Sequence, residues 1–253
     1  NATVDNVRVY VVDNDTASVV LSSAQVNVAE AGGQASYELS LTAAPSSDIT
    51  VAINASNGVD SNVSSMTFNG SNWNVPQTVQ VTAVDDSVAQ GDRAATVSHK
   101  ATAADGSFTD VSIGKVTVNI SDDDVASVQL QTEGLAGSLV EGGYATYRVA
   151  LTSQPEDEVT VNIAVGEGLI LYTNSLTFDA QDWNVAKTVL VVAEDNEVVD
   201  GNRQVSISHQ SNSSDVSYDG LGATELSITV VDNDSDPNGP TVTPALYLPL
   251  TVR

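Results

Sequence analysis

Short runs of alternating apolar and polar residues fill most of this chain, and no stretch carries the 3.6-residue period of an amphipathic helix. The runs are rich in Val, Ile and Thr, and clusters of Gly, Asn, Asp, Ser and Pro separate them. This pattern is typical of the strands and turns of an all-β sandwich. The first half is predicted to contain seven strands, at residues 18–28, 35–42, 48–54, 63–69, 77–84, 94–101 and 114–120.

The second half of the chain repeats the first at a spacing of about 110 residues. The segment WNVPQTVQVTAVDDSVAQGDR (73–93) returns as WNVAKTVLVVAEDNEVVDGNR (183–203), and KVTVNISDDD (115–124) returns as LSITVVDND (226–234). A third copy of this closing strand, VRVYVVDND, occupies residues 7–15. The second set of predicted strands covers residues 127–134, 145–152, 158–165, 174–180, 187–193, 204–210 and 225–231.

A repeat of this length is a whole domain, because solenoid repeats are far shorter, and a domain of this size buries enough apolar surface to fold alone. We therefore predict an all-β chain of tandem seven-stranded Greek-key sandwiches of the immunoglobulin-like class, arranged end to end. The predicted segments are a surplus terminal strand of a preceding module or an inter-subunit donor strand (1–15), sandwich 1 (16–124), sandwich 2 (125–234), and a linker with a strand-like C-terminal tail (235–253). A strand at each terminus suits a head-to-tail polymer, so neighbouring modules or identical subunits are the predicted partners.

The chain is strongly acidic, with 33 Asp and Glu against 8 Lys and Arg and a formal net charge of −25. Nucleic acids and anionic membranes require a positive protein face, so this charge argues against both as partners. No run approaches the roughly 18 apolar residues of a membrane-spanning helix. The chain has no Cys, which excludes thiol catalysis and zinc sites built on Cys.

Acidic residues concentrate in particular turns. If the seven strands of a module alternate in direction, the loops after the first, third and fifth strands and the exit of the seventh share one pole. Almost no basic residues are expected near these acids, so at close range they need a counter-cation, and flexible oxygen ligands favour Ca²⁺ over zinc, copper or Mg²⁺. The alternative is a solvated acidic end that keeps a secreted protein soluble. The residues of this pole are Glu30, Asp60, Asp85, Asp86, Asp92, Asp122, Asp123 and Asp124 in module one, and Glu141, Glu167, Glu194, Asp195, Asp200, Asp232, Asn233 and Asp234 in module two.

Three motifs resemble those of Calx-β domains: Glu-Ala-Gly-Gly or Glu-Gly-Gly after the first strand, VDD or AED after the fifth, and the terminal DDD or DND. The segment MTFNGSNWNVPQTVQVTAVDDSVAQGDR is similar to the bacterial branch of that family, which occurs in large surface proteins. The loop after the third strand departs from the exchanger domains of the family, so Asp60 and Glu167 are weak ligand candidates. The resemblance implies calcium ligands at Glu30, Asp85, Asp86, Asp122, Asp123 and Asp124, and at Glu141, Glu194, Asp195, Asp232 and Asp234.

The terminal acidic triplet is also the linker between modules. Asp122–Asp124 is followed at once by Val125, Ala126 and the next strand, with no Gly, Ser or Pro spacer. Asp13 and Asp15 stand at the same place in the N-terminal copy, so they too are predicted ligands. A calcium ion at such a joint would stiffen the array.

Two other repeated side chains are better explained by structure than by chemistry. Trp73 and Trp183 are weak candidates for ligand stacking, against the alternative that they cap the core. His99 and His209 are each preceded by a Ser, but adjacent strand residues point to opposite faces, so we predict a structural role for both histidines. No catalytic motif occurs, and we predict no enzyme.

The sequence therefore predicts a secreted, non-enzymatic module at the cell surface: a calcium-stiffened rod, a filament subunit or an adhesin stalk. The alternative is a carbohydrate- or protein-binding adhesion module that uses the loops of the opposite pole, at residues 69–74 and 181–184. Asn69 and Asn212 are weak candidates for glycosylation, predicted to lie in loops.

Overall fold

Strands and turns make up the described part of this protein. The computed structural model describes residues 7–10, 18–106, 108, 111–135 and 137–235. These residues form eighteen strands, and none of them belongs to a helix that is long and apolar enough to cross a membrane. The chain divides into two compact units, with the boundary between Asp124 and Val125. The prediction of an all-β sandwich fold is confirmed; the predicted ligands Asp13 and Asp15 lie outside the described residues.

Unit 1 contains nine strands in two sheets. The strands are β1 (Val19–Leu21), β2 (Gln25–Ala29), β3 (Gln34–Leu41), β4 (Ile49–Ala55), β5 (Val59–Ser61), β6 (Ser65–Phe68), β7 (Gln77–Ala83), β8 (Arg93–Ala103) and β9 (Val116–Ser121). One sheet has the order β1-β3-β7-β5, and the other has the order β2-β9-β8-β4-β6. Neighbouring strands are antiparallel except β2 and β9, which are parallel.

Unit 2 repeats this arrangement. Its strands are β10 (Val128–Gln131), β11 (Ser138–Val140), β12 (Tyr144–Leu151), β13 (Val159–Val165), β14 (Leu169–Leu171), β15 (Ser175–Phe178), β16 (Lys187–Ala193), β17 (Arg203–Ser213) and β18 (Leu226–Val231). The sheet orders are β10-β12-β16-β14 and β11-β18-β17-β13-β15. Here β11 and β18 form the parallel pair.

The first predicted strand of unit 1 is two strands in the structure. β1 pairs with β3, whereas β2 crosses to the other sheet and pairs with β9. Ser22 fixes the end of β1, because its N–H donates to the Glu38 carbonyl (2.9 Å) and its Oγ accepts from the Glu38 N–H (2.8 Å). The inward side chains are Val19 and Leu21 in β1 but Val26 and Val28 in β2, so the alternation changes phase where the chain crosses between sheets. The short strands β5, β11 and β14 also lie in segments that we predicted to be loops.

Each unit has its own apolar core between its sheets. Alternate residues of the central strands face inward, as the period of two requires, and the largest are completely buried. Each such Val, Leu, Ile or Phe contributes about 1.5–3 kcal/mol by leaving water. The fully buried aliphatic and aromatic residues of unit 1 include Tyr37, Leu39, Ile49, Val51, Phe68, Val79, Val81, Val97, Val116 and Val118.

A tyrosine–histidine pair lies inside each core. The Oη–Nε2 distance is 2.7 Å both for Tyr37 and His99 and for Tyr147 and His209. The His99 Nδ1–H donates to the Gly114 carbonyl (2.9 Å), so its Nε2 accepts from the tyrosine hydroxyl. The Nδ1 of His209 is buried without a partner among the described residues. These contacts engage both histidines with the core and agree with the structural role predicted for them.

We expect mild acid to destabilise unit 2 through His209. Burial lowers the pKa of this ring below its ordinary value of 6.5. Below about pH 6.5 the unfolded chain binds a proton that the folded chain does not, so stability is retained above that pH and lost as the pH falls. His209→Gln should reduce the loss between about pH 6.5 and pH 5. Urea unfolding at several pH values, followed through Trp183, which packs against this core, tests the prediction. A pH dependence that is the same in His209→Gln and in the parent would contradict the prediction.

The turn that follows β2 needs glycine at two positions. Gly32 has φ of 80°, a left-handed conformation that other residues adopt with strain. A Cβ on Gly33 would lie 2.7 Å from the carbonyl oxygen of Ala29, which already accepts the Gly33 N–H. The turn thereby holds Glu30 in a fixed position at the end of β2. The equivalent turn of unit 2 has the same close approach, between Gly143 and the Val140 carbonyl.

Gly33→Ala should therefore destabilise unit 1 by about 1–3 kcal/mol, the usual cost of forcing an atom into an occupied space. Gly70→Ala is the matched control, because a Cβ at Gly70 meets nothing within 4 Å. The control should stay within about 0.5 kcal/mol of the parent. Urea unfolding followed through Trp73 measures both; equal midpoints for the two variants would refute this reading of the turn.

Candidate metal centre

Three carboxylates meet at one end of unit 1. One oxygen from each of Glu30, Asp122 and Asp124 lies within 4.8 Å of the others. They meet because β2 and β9 are parallel, so the residues that follow the two strands lie at the same edge of the sheet. The Glu30 N–H donates to the Ser121 carbonyl (3.0 Å) and continues this pairing into the site.

Unit 2 builds the same cluster from Glu141, Asp232 and Asp234, again with oxygens within 4.8 Å of one another. The parallel pair β11 and β18 brings them together, and the Glu141 N–H donates to the Val231 carbonyl (3.1 Å). Two copies of the cluster at equivalent places make an accidental grouping a poor explanation.

The loop between β7 and β8 closes the cluster of unit 1 from the side. Asp92 Oδ1 accepts the Asp122 N–H (3.1 Å), and Asp122 in turn accepts the Gly91 N–H. Asp86 Oδ1 accepts the Val88 N–H (2.9 Å), which shapes the loop. In unit 2 the corresponding contacts are made by asparagine oxygens: Asn202 accepts from Asp232 (3.1 Å), and Asn196 accepts from Val198 (2.7 Å).

An arginine enters each cluster, so our expectation of almost no basic residues near these acids is wrong. Arg93 forms an ion pair with Glu30 and lies 3.8 Å from Asp86. Arg203 pairs with Glu141 (3.1 Å) and Asp200 (2.7 Å). Both begin their strands, β8 and β17, and point back to the turn. The repeated GDR and GNR ends of the long repeat contain this signal, because two of only eight basic residues occupy matched positions.

The arginine satisfies only one oxygen of each buried glutamate. Glu30 is 1% exposed and Glu141 is 4% exposed. Glu30 Oε2, Glu141 Oε2 and Asp234 Oδ2 are buried without a hydrogen-bond partner among the described residues. An unpaired buried carboxylate oxygen is costly. A cation held by these oxygens and the neighbouring aspartates would remove that cost.

The two aspartates of the terminal triplet respond oppositely to this environment. Burial raises the pKa of Asp122, but hydrogen bonds from the backbone of Asp124, Gly91 and Gln90, with the charge of Arg93, lower it overall. Burial raises the pKa of Asp124, and the charges of Asp122, Asp123, Asp86 and Glu30 raise it further. Asp124 is therefore the residue at which negative charge accumulates without compensation.

Unit 2 shows the same opposition. Backbone hydrogen bonds from Asp234 and Gly201 lower the pKa of Asp232. Burial, followed by the charges of Asp232, Asp195 and Glu197, raises the pKa of Asp234. Burial also raises the pKa of Glu141 against the opposing charge of Arg203. The contribution of Glu197 was not anticipated from the sequence.

The remaining predicted ligands lie outside the two three-carboxylate clusters. Asp85 and Asp123 are exposed, and the side chain of Asp195 lies beside Gly142, where an added Cβ would meet its Cγ at 3.4 Å. Asn233 donates from Nδ2 to the Glu141 carbonyl (3.1 Å). The other predicted residues are placed as follows: Asp60 in β5, Glu167 in the turn before β14, Glu194 directly after β16, and Asp200 on Arg203.

The weaker candidates have structural surroundings. Trp73 and Trp183 are partly buried and pack against the cores of their units. Asn69 accepts the N–H and the hydroxyl of Ser71 within its turn (2.9 and 2.6 Å). Asn212 does not lie in a loop as predicted, because β17 continues to Ser213 and pairs Asn212 with Thr160.

Comparisons with known proteins give only distant likenesses. No family model and no curated relative match this chain. Similar solved structures include the calcium binding domain CBD12 of CALX1.1, at 16% identity and a TM-score of 0.33, covering 76% of this chain and 80% of that one. The apo-form Calx CBD1 domain has 17% identity and a TM-score of 0.34, covering 44% and 100%. The E. coli chaperone DraB has 8% identity and a TM-score of 0.33, covering 83% and 97%. At these identities and TM-scores the likenesses carry no conclusion about this chain, and the Calx-β resemblance stays a prediction.

The ion pair of Arg93 predicts a large loss of stability on its removal. Arg93→Met leaves the buried Glu30 carboxylate unpaired, which should cost unit 1 roughly 3–5 kcal/mol in chelator. Adding Glu30→Gln should restore most of the loss. Urea unfolding in a Trp183→Phe background reports unit 1 through Trp73 alone. The exposed Lys100→Met of unit 1 is the control, expected within about 0.5 kcal/mol of the parent; an equal effect of the Arg93 and Lys100 variants would contradict the prediction.

Proposed function

We propose that this protein is a non-enzymatic extracellular structural module in which Ca²⁺ binds the acidic pole of each sandwich. One observation carries the proposal: in both units a buried glutamate that keeps one oxygen without a hydrogen-bond partner clusters with two aspartate carboxylates. Oxygens in a cluster of this kind are the ligands that Ca²⁺ prefers. The same arrangement in two units of one chain supports a selected site over a solubilising surface.

The donor set favours Ca²⁺ among the divalent ions. Every candidate ligand is an oxygen, and the only two imidazoles of the chain are engaged with tyrosines in the cores. Zinc and copper favour nitrogen and sulfur ligands. Ligands drawn from a turn, a loop and a strand exit form an irregular set, which Ca²⁺ tolerates better than Mg²⁺ with its strict octahedron.

The charge balance leaves room for a divalent cation beside the arginine. In unit 1 five carboxylates surround Arg93, from Glu30, Asp86, Asp92, Asp122 and Asp124. Five negative charges and one positive charge leave a net of −4 at the pole. A single Ca²⁺ halves this excess and pairs with the glutamate oxygen that the guanidinium does not reach.

The mechanical role follows from the position of the ligands in the chain. Asp122 and Asp124 lie between β9 and β10, within the segment that joins the two units. An ion that fixes these residues also restricts the linker. Binding adds about 2.7 kcal/mol to the folded state when calcium is a hundredfold above its dissociation constant. We propose a rod, filament or stalk that is stiff in millimolar extracellular calcium, the range to which such sites are tuned.

Asp124 provides the test of this proposal. Asp124→Asn should raise the melting temperature of unit 1 in chelator, because it removes an uncompensated charge, yet it should lose most of the calcium-dependent increase. The parent should gain roughly ten degrees or more at saturating calcium. Melting curves with and without Ca²⁺ in a Trp183→Phe background, with calorimetric titration, measure both effects.

Asp123→Asn is the matched control, since it changes the same charge one residue away and copies the Asn233 of unit 2. It should keep most of the calcium-dependent increase. Equal losses in the two variants would mean that the acids act only as diffuse charge. Absence of any calcium response in the parent would overturn the proposed function.

A further inference from the structure

The outer face of the sheet β10-β12-β16-β14 carries exposed apolar side chains. Tyr144, Val192 and Ile170 are direct cross-strand partners and form one row. Leu190 lies in the next row opposite Thr146. Tyr172 lies at the bend directly after β14, two residues beyond Ile170. Tyr144 is 74% exposed and Tyr172 is 75% exposed. We call Tyr144, Ile170, Tyr172, Leu190 and Val192 the aromatic face.

Unit 1 shows that the fold does not require this face. The equivalent row of its sheet consists of Gln34, Thr82 and Asp60, in the same register. Gln80 takes the place of Leu190, and its Nε2 donates to Gln34 Oε1 (2.8 Å). Asn62 takes the place of Tyr172. The same sheet is therefore built with a polar surface in one unit and an apolar, aromatic surface in the other, which points to a contact made by unit 2 alone.

Charge limits what this contact can be. A nucleic acid or an anionic lipid surface would bring negative charge toward a protein of net charge −25. An uncharged partner meets no such repulsion. Exposed tyrosine rings also offer an apolar face with a polar tip, which suits a ligand that presents C–H faces and hydroxyl groups together.

Polar groups border the aromatic face where a sugar would need them. Thr146 lies within it, and Gln131 and Arg148 are cross-strand partners at one side. These residues, with Glu133, line a shallow concavity beside Thr146. They supply amide, hydroxyl and guanidinium donors and a carboxylate acceptor for hydroxyl groups.

We propose that the aromatic face binds a neutral polysaccharide. Tyr144 belongs to β12 and Tyr172 follows β14, and β16 lies between these two strands. The two strands are therefore two strand spacings apart, about 10 Å. This separation exceeds one pyranose ring, so the two tyrosines engage different sugars of one chain. The flat outer surface of a sheet suits an extended polymer, and the surface belongs to unit 2 only. The proposal does not rest on calcium, and it places glycan recognition on the sheet instead of on the loops at 69–74 and 181–184.

The experiment is retention of the full chain on microcrystalline cellulose, chitin and starch in the presence of chelator, so that its outcome is independent of the calcium sites. The parent should be retained on at least one of these neutral polymers. Tyr144→Gln with Tyr172→Asn installs the residues of unit 1, which that sheet already tolerates, and should weaken retention by about tenfold or more. Val216→Ser removes a side chain that is 90% exposed between β17 and β18 and should change nothing.

Two results would overturn the proposal. One is no retention of the parent on any of the three polymers, and the other is equal retention of the parent and the double tyrosine variant. Sedimentation velocity over a range of concentrations tests the other possible occupant of the aromatic face, a second copy of the chain. Self-association of the parent that the double variant abolishes, without retention on the polymers, would assign the aromatic face to a second copy of the chain and also overturn it.

Discussion

Each unit of this protein depends on the compensation of one buried carboxylate. Glu30 and Glu141 are almost fully removed from water, where an uncompensated charge costs several kcal/mol. Arg93 or Arg203 pairs with one oxygen, but the second has no hydrogen-bond partner and the carboxylate lies among aspartates. The arginine alone therefore leaves the site under electrostatic strain. The cation proposed above would satisfy the glutamate oxygen and the aspartates together.

The geometry of this site originates in the switch of the first strand between sheets. A continuous first strand paired only with β3 would end far from the exit of β9, on the opposite sheet. Because β2 crosses over and runs parallel to β9, Glu30 and Asp122 emerge side by side. The glycines of the following turn then fix the glutamate backbone. The local sequence Glu-Ala-Gly-Gly thus serves the sheet topology and the carboxylate cluster at the same time.

The sequence was sufficient to predict the positions of strands in which every second side chain is buried. Strands such as β4, β7 and β16 lie within one or two residues of their predicted positions, because burial of every second side chain leaves a direct pattern. The strand switch left one sign, a change of the inward positions from odd in β1 to even in β2, which the single strand predicted at residues 18–28 did not take into account. The role of Arg93 depends on contacts 63 residues apart in the chain. Its only local sign was its recurrence as Arg203, and the prediction from net charge considered only the acids.

The repeat also separates what the fold needs from what each unit has acquired. Tyr37 and His99, Gly33, Glu30 and Arg93 all have counterparts in unit 2, so the core pair, the turn and the ion pair belong to the scaffold. Some departures lie in the cores, such as Phe108 in unit 1 and Tyr218 in unit 2, and others lie at side chains that the scaffold leaves free. Asp86, Asp92 and Asp123 are asparagines in unit 2, whereas Val84, Ser87 and Gln90 of unit 1 are replaced there by Glu194, Glu197 and Asp200, so the two poles distribute their charge differently. On the outer sheet face, the amide side chains Gln34 and Asn62 of unit 1 are replaced by Tyr144 and Tyr172 in unit 2. Differences at exposed positions, on a scaffold held constant, are the ones that fold stability does not explain, and they therefore point to unequal tasks for the two units.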